Sequence, residues 1–212
     1  NCLDKLMLIE MNYNLDNLNP YDFEKLVQAL SRKVIGNGSI TFGDGTDGGR
    51  EATFKGISSL YPSMKDNWNG YWVVQAKFKT AKTSDFDWVK NELTKELDKY
   101  GTRKIKVQKP DHYLLFTNCK LSAKPVTGSR DKMTLLEREY EEKYKIKNIR
   151  VISFDDINDY LNLNRDVAIS FAPFVLAGDI LYKLLKVLEI EDKRNARINE
   201  VLNRFLGVEF KE

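Results

Sequence analysis

Gln75 and Lys77 stand two apart in the run Tyr71-Trp72-Val73-Val74-Gln75-Ala76-Lys77-Phe78. Alternate residues of a strand project to the same side, so the amide and the amine share one face. An ammonium among such apolar neighbours is costly to bury unless a negative group pairs with it. Two upstream carboxylates are candidates: Asp47, in a glycine-rich turn, and Glu51, near the start of the strand that follows. Two or three oxygen ligands on adjacent strands can hold a hard cation such as Mg2+, which keeps several waters and accepts a substrate phosphate as a further ligand. That is the layout of metal-assisted phosphodiester hydrolysis. The metal polarises the phosphoryl oxygen and acidifies a bound water, while Lys77 orients that water or stabilises developing negative charge. The same residues admit a structural reading, a buried Lys-Glu pair that fixes the register of the sheet.

Other chemistries find less support. Gly43-Asp44-Gly45-Thr46-Asp47-Gly48 matches G-x-G-x-x-G, but a dinucleotide site needs a helix directly after the loop. Here Glu51 to Lys55 read as strand, and Asp44 with Asp47 would repel a pyrophosphate. No G-x-x-x-x-G-K-[ST] sequence occurs, and one histidine with two distant cysteines, Cys2 and Cys119, cannot assemble a four-ligand zinc site. His112, beside Asp111 at the start of a strand, is expected to be structural, because a Ser/His or Cys/His mechanism would need a partner the sequence does not place.

The elements that would carry Gln75 and Lys77 follow from periodicity and punctuation. Asn19-Pro20 opens a helix with Phe23, Leu26, Val27, Leu30 and Val34 at helical spacing, closed by Gly36-Asn37-Gly38. A short strand at 39–42, a turn at 43–49 and a strand at 50–55 predict a hairpin. After a loop containing Pro62 and Gly70 comes the β-branched and aromatic strand 71–78, expected to be central. A helix over 85–100 carries Phe86, Val89, Leu93 and Leu97 and ends at Gly101. Then follow a strand at 112–117, a charged helix at 135–144, a strand at 149–154 and a short helix capped by Asp155-Asp156 through Leu161. Residues 167–205 read as helical, with stripes Ile180, Leu181, Leu184, Leu185, Leu188 and Ile198, Val201, Leu202, Phe205.

With 42% hydrophobic and 31% charged residues in 212, the chain is long enough for its own core and too apolar for disorder. Its longest apolar stretch, Ala172 to Leu188, is interrupted by Gly178, Asp179, Lys183 and Lys186 and falls short of a bilayer span. No signal peptide is evident, and two cysteines are too few for a disulfide framework, so a reducing cytoplasm is the default expectation. A start at Asn1 without methionine suggests part of a longer protein. The net charge of +3 is unevenly spread: 9 basic and 9 acidic residues in 1–80, 17 and 11 in 81–150, and 8 and 11 in 151–212. The densest basic run, Arg103, Lys104, Lys106 and Lys109, is suited to tracking phosphates, although charge runs are also common as plain solvated surface.

Three short motifs in order carry a family resemblance. Phe23-Glu24 in an early amphipathic helix, then Thr46-Asp47-Gly48-Gly49-Arg50-Glu51-Ala52, then Val74-Gln75-Ala76-Lys77 resemble the PD-(D/E)XK nuclease superfamily. More narrowly they are similar to its Mrr-like restriction endonuclease branch, with its F-E helix, G-D-G-G-x-D and Q-x-K. Pro110-Asp111-His112-Tyr113-Leu114-Leu115-Phe116-Thr117-Asn118, Leu121-Ser122 and Phe174-Val175-Leu176-Ala177-Gly178-Asp179 resemble the nuclease effector domains fused to STAND NTPases in bacterial anti-phage systems.

The resemblance implies an α/β fold: a restriction-endonuclease-like mixed β-sheet flanked by helices, with an all-helical C-terminal extension. It divides the chain into an N-terminal extension (1–18), a nuclease domain (19–165) and a helical extension toward a further domain (166–212). Position by position, it makes Glu51 the metal-binding acid, Gln75 the occupant of the second acidic position and Lys77 the signature lysine. Glu24 and Asp47 become accessory acids, and the carbonyl of Ala76 reaches the metal. The implied activity is Mg2+-dependent cleavage of DNA, with Mn2+ as a substitute metal, little sequence specificity and activation by homo-oligomerisation. The rival expectation is a catalytically silent nuclease-like module that binds nucleic acid or a partner protein; an RNA-cutting enzyme on the same fold is a third.

Overall fold

The computed structural model describes residues 11–36, 40–41, 52–63, 65–80, 84–101 and 108–176. Their strands form one mixed sheet in the order β1 (Ile40–Thr41), β2 (Ala52–Pro62), β3 (Asn67–Lys77), β4 (His112–Thr117) and β5 (Asn148–Ile152). β1 to β3 are antiparallel neighbours, while β3, β4 and β5 run parallel. Parallel neighbours need crossovers, and α2 (Asp85–Gly101) and α3 (Ser129–Tyr144) provide them.

Alternation along β3 assigns the two faces. Trp72, Val74 and Ala76 join Leu114, Phe116 and Ile152 beneath α1 (Pro20–Val34), α4 (Phe154–Leu163) and α5 (Arg165–Val175). On the other face Val73 joins Tyr113, Leu115, Ile149 and Val151 beneath α2 and α3, whose Val89, Leu93, Leu97, Met133 and Leu136 are buried there. All six residues of β4 are buried, as expected of a parallel strand covered on both faces.

α1 begins as its sequence predicts. The Asn19 side chain accepts the Asp22 N–H at 2.9 Å, Pro20 occupies the first turn, and Phe23, Leu26, Val27 and Leu30 are buried. The segment before it is built into the same core. Tyr13 and Leu15 are buried, the Tyr13 N–H donates to Asn158 Oδ1 at 2.7 Å, and the Asn14 N–H donates to the Val175 carbonyl at 2.7 Å.

Several boundaries differ from the sequence expectation: β5 ends at Ile152 rather than 154, and Ser153 rather than Asp155-Asp156 caps α4, with Asp156 closing a capping box. β2 and β3 are eleven residues each, because Gly56 and Gly70, read as loop residues, face one another inside the ladder. Gly70 has φ +153°, and a Cβ there would lie 2.6 Å from Asp111 Oδ2. That oxygen accepts the Tyr71 N–H at 2.8 Å, so glycine lets β3 meet the loop before β4. α3 begins six residues earlier than the predicted Leu135, since its first turn is polar. It is held instead by reciprocal bonds between Ser122 and Ser129 and by the paired Arg130–Asp156 contact. Of residues 167–205, expected to be helical throughout, the described part is helical to Val175 despite Pro173 and stops there, with Leu176 extended at φ −95° and ψ 137°; residues from 177 on lie outside the described residues.

β5 borders the described sheet, and α3 closes that border. The Ile149 N–H donates to Glu141 Oε1 and the Val151 N–H to Glu137 Oε1, each at 2.8 Å, while Arg130 donates to the Val151 carbonyl at 3.1 Å. Among the described residues no helix is long and apolar enough to cross a membrane.

Candidate functional site

Gln75 and Lys77 occupy the C-terminal half of β3, on the face covered by α2. Their shared orientation follows from strand alternation, since Val73 of the same set is buried among α2 and α3 residues. Gln75 is 3% exposed. The Lys77 side chain is 23% exposed, and its Nζ lies 2.8 Å from Glu96 Oε1 and 3.9 Å from Glu92 Oε2.

Both glutamates come from α2. Val89, Glu92, Leu93 and Glu96 occupy helix positions i, i+3, i+4 and i+7, the stripe that faces a neighbouring layer. Two carboxylates therefore stand where the pattern calls for apolar residues, and the ammonium of Lys77 is what they meet. Each glutamate is also held by a lysine one turn further on: Lys95 Nζ lies 2.6 Å from Glu92 Oε1, and Lys99 pairs with Glu96 Oε2. Glu96 is 9% exposed, so its charge is compensated by neighbours rather than by bulk water.

Among the described residues the carboxylate partners of Lys77 come from α2. Sequence reasoning missed Glu92 and Glu96; their signal was the i+3 and i+7 spacing from Val89. Asp47 and Glu51 lie outside the described residues, where the β2–β3 ladder reaches the pair Ala52–Val74. Ala76 is buried and pairs in register with Phe116. Glu24 is half-buried on α1, which packs against the sheet face opposite Gln75 and Lys77.

Of the basic run, Arg103, Lys104 and Lys106 lie outside the described residues. Lys109 is exposed and donates to the Tyr144 carbonyl at 2.8 Å, at the C-terminal end of α3 where a cation is favoured. His112 is buried, stacked on Trp68, with Nε2 3.1 Å from the Asn69 carbonyl and Nδ1 2.9 Å from Asn148 Nδ2. A ring that accepts from an amide at Nδ1 and donates to a carbonyl at Nε2 is neutral, and burial lowers its pKa accordingly.

Beyond Lys77 the chain enters a groove of about 620 Å³, lined among others by Phe78, Lys79, Asp85, Asn118 and Lys120. Asn118 fastens it, accepting the Lys79 N–H at 2.7 Å and donating to Asp16 Oδ1 at 3.0 Å. Lys79 is nearly buried and pairs with Asp85. Cys119, in the same wall, has its thiol pushed up to about 11 by burial, which makes it a poor nucleophile at neutral pH.

Among the described residues no group of three or more His, Cys, Asp or Glu side chains is placed to hold a metal ion. The described oxygen donors nearest to Lys77 along β3, the Gln75 amide and the Ala76 carbonyl, are neutral, and the carboxylates of Glu92 and Glu96 are paired with lysines. Comparison with models of known protein families, with curated proteins and with solved structures finds no match.

Proposed function

We propose that the chain is a metal-dependent endonuclease domain of the PD-(D/E)XK type, in its Mrr-like branch, acting on DNA phosphodiester bonds with little sequence specificity. The single observation that carries this reading is the shared face of Gln75 and Lys77 on β3, with the Lys77 side chain 23% exposed. The five-stranded mixed sheet, flanked by helices on both faces, supports a restriction-endonuclease-like fold. On this reading the cation is Mg2+ or Mn2+, and its charged ligands are Glu51 and Asp47, joined by the Ala76 carbonyl. The proposal requires the antiparallel ladder to run one step past Ala52–Val74, where Glu51 would be the partner of Gln75.

In the same proposal the domain is the effector of a larger anti-phage protein, activated when further domains bring copies together. Arg103, Lys104, Lys106 and Lys109 would follow the phosphate backbone without reading bases. Incubating the protein with supercoiled plasmid and Mg2+ or Mn2+ tests the reading. Nicking that is abolished by EDTA and by Lys77→Ala supports it, and degradation of single-stranded RNA instead moves the substrate class to RNA.

One observation favours a second reading. The Lys77–Glu96 pair ties α2 to the central strand, a structural use of the lysine that serves equally in a silent nuclease-like module binding nucleic acid or a partner protein. Retained DNA binding without nicking, also when copies are brought together by a fused dimerisation domain, identifies that module.

A further inference from the structure

The glutamates of α2 deepen the nuclease reading, on which this inference rests. A lysine amine sits at the end of four flexible methylenes, and its catalytic value depends on being held where the phosphate will arrive. Among the described residues Lys77 is held from the side of α2. Its strand fixes the stem, Glu96 accepts from the ammonium at 2.8 Å, and Glu92 adds charge from 3.9 Å without a hydrogen bond. Glu96 is itself immobilised, one oxygen on Lys77 and the other on Lys99, in a site where its side chain is 9% exposed. Ammonium carries three donors, so one bond to Glu96 leaves the capacity to bind a substrate oxygen at the same time.

We infer that Glu96 is the positioning residue for Lys77, acting through the lysine and touching neither DNA nor metal. The arrangement makes the helix that crosses from β3 to β4 part of the reaction machinery. A metal ligand and a positioning residue differ in what their loss changes. Removing a ligand raises the concentration of Mg2+ needed for half-maximal rate, whereas removing a positioning residue lowers the rate at saturating metal and substrate.

The test measures plasmid nicking by the wild type and by Glu96→Gln, Glu96→Asp and Glu96→Ala, at a temperature where circular dichroism shows each to be folded. The expected result is a kcat loss of about 10- to 100-fold for Glu96→Ala, with KM for DNA and the Mg2+ midpoint unchanged. Partial rescue is expected in Glu96→Gln, which keeps an acceptor, and in Glu96→Asp, which keeps the charge. If Glu96→Ala does not fold, the near-isosteric Glu96→Gln carries the comparison, with a smaller kcat loss expected on the same pattern. A wild-type kcat in the folded variants overturns the inference while leaving the nuclease reading intact. A shifted Mg2+ midpoint overturns it in favour of metal ligation. Absence of nicking by the wild type, even when copies are brought together by a fused dimerisation domain, overturns both.

Discussion

Glu96 Oε1 lies 2.8 Å from Lys77 Nζ and joins the helix between β3 and β4 to the central strand. The pair is mostly shielded from solvent, and deleting one partner strips the other of its nearest counter-charge, leaving Glu96 with Lys99 alone or Lys77 with the more distant Glu92. Lys77→Ala and Glu96→Ala should each lower the unfolding free energy by about 2 kcal/mol. The double replacement Lys77→Leu/Glu96→Leu should recover most of that loss. Urea denaturation of the single and double variants supplies the coupling energy directly, and additive losses would contradict the pairing.

A second consequence concerns pH. Burial pushes the Glu137 carboxyl up to about 7, against the opposing pull of the Val151 N–H and Arg150. A carboxyl whose folded pKa is raised is protonated in the native chain while the unfolded chain is already ionised. Stability is therefore lost as pH climbs from about 4.5 to 7. Glu137→Gln keeps the acceptor for Val151 and removes the titration. It should match the wild type below about pH 4.5 and exceed it by ~3 kcal/mol above pH 7. Chemical denaturation across this range checks both ends; a pH-independent difference would show that Glu137 does not titrate in the window.

His112 behaves in the opposite sense. Burial lowers its pKa, opposed by the Asn69 carbonyl and the Asp111 charge, so the unfolded chain takes up a proton first. Its contribution is complete above about pH 6.5, the ordinary histidine value, and declines as pH falls through the lower folded value. His112→Gln should lower stability at every pH by losing the stack on Trp68 and the tilted ring contact with Trp72. It should also flatten the slope of stability against pH below about 6.5. An unchanged slope would remove His112 from the acid response.

Gly70 gives a steric prediction. A Cβ would meet the Asp111 side chain at 2.6 to 2.8 Å, in a backbone with φ +153°. Gly70→Ala should cost about 2–4 kcal/mol, well beyond an ordinary strand substitution, because strain and the lost Asp111–Tyr71 bond act together. Gly101→Ala, where a Cβ meets only the Tyr144 ring at 3.5 Å, should be nearly neutral by thermal melting.

Much of this architecture was legible because periodicity and burial agree. α1 shows its buried stripe with Asn19 and Pro20 at the start, and β4 reads as an uninterrupted apolar run apart from its ends. The first turn of α3 was hidden because Ser129, Arg130, Asp131 and Lys132 present no apolar repeat; serine exchange and an arginine clamp hold it. Glycine misled in the β2–β3 hairpin, since its usual meaning as a break gives way to the need for room beside Asp111. At the candidate site, the common face of Gln75 and Lys77 followed from strand alternation alone. The described partners of Lys77 did not, because they come from a helix whose sheet-facing positions include two glutamates. Asp47 and Glu51, on which the expected metal chemistry turns, lie outside the described residues.

The border formed by β5 has one more implication. With Ile149 and Val151 already donating to Glu141 and Glu137, an incoming polypeptide finds those two docking points occupied. Edge-on recruitment of a foreign strand is thereby discouraged at this flank, and crowding copies of the chain together should not zip their sheets into a continuous ribbon there.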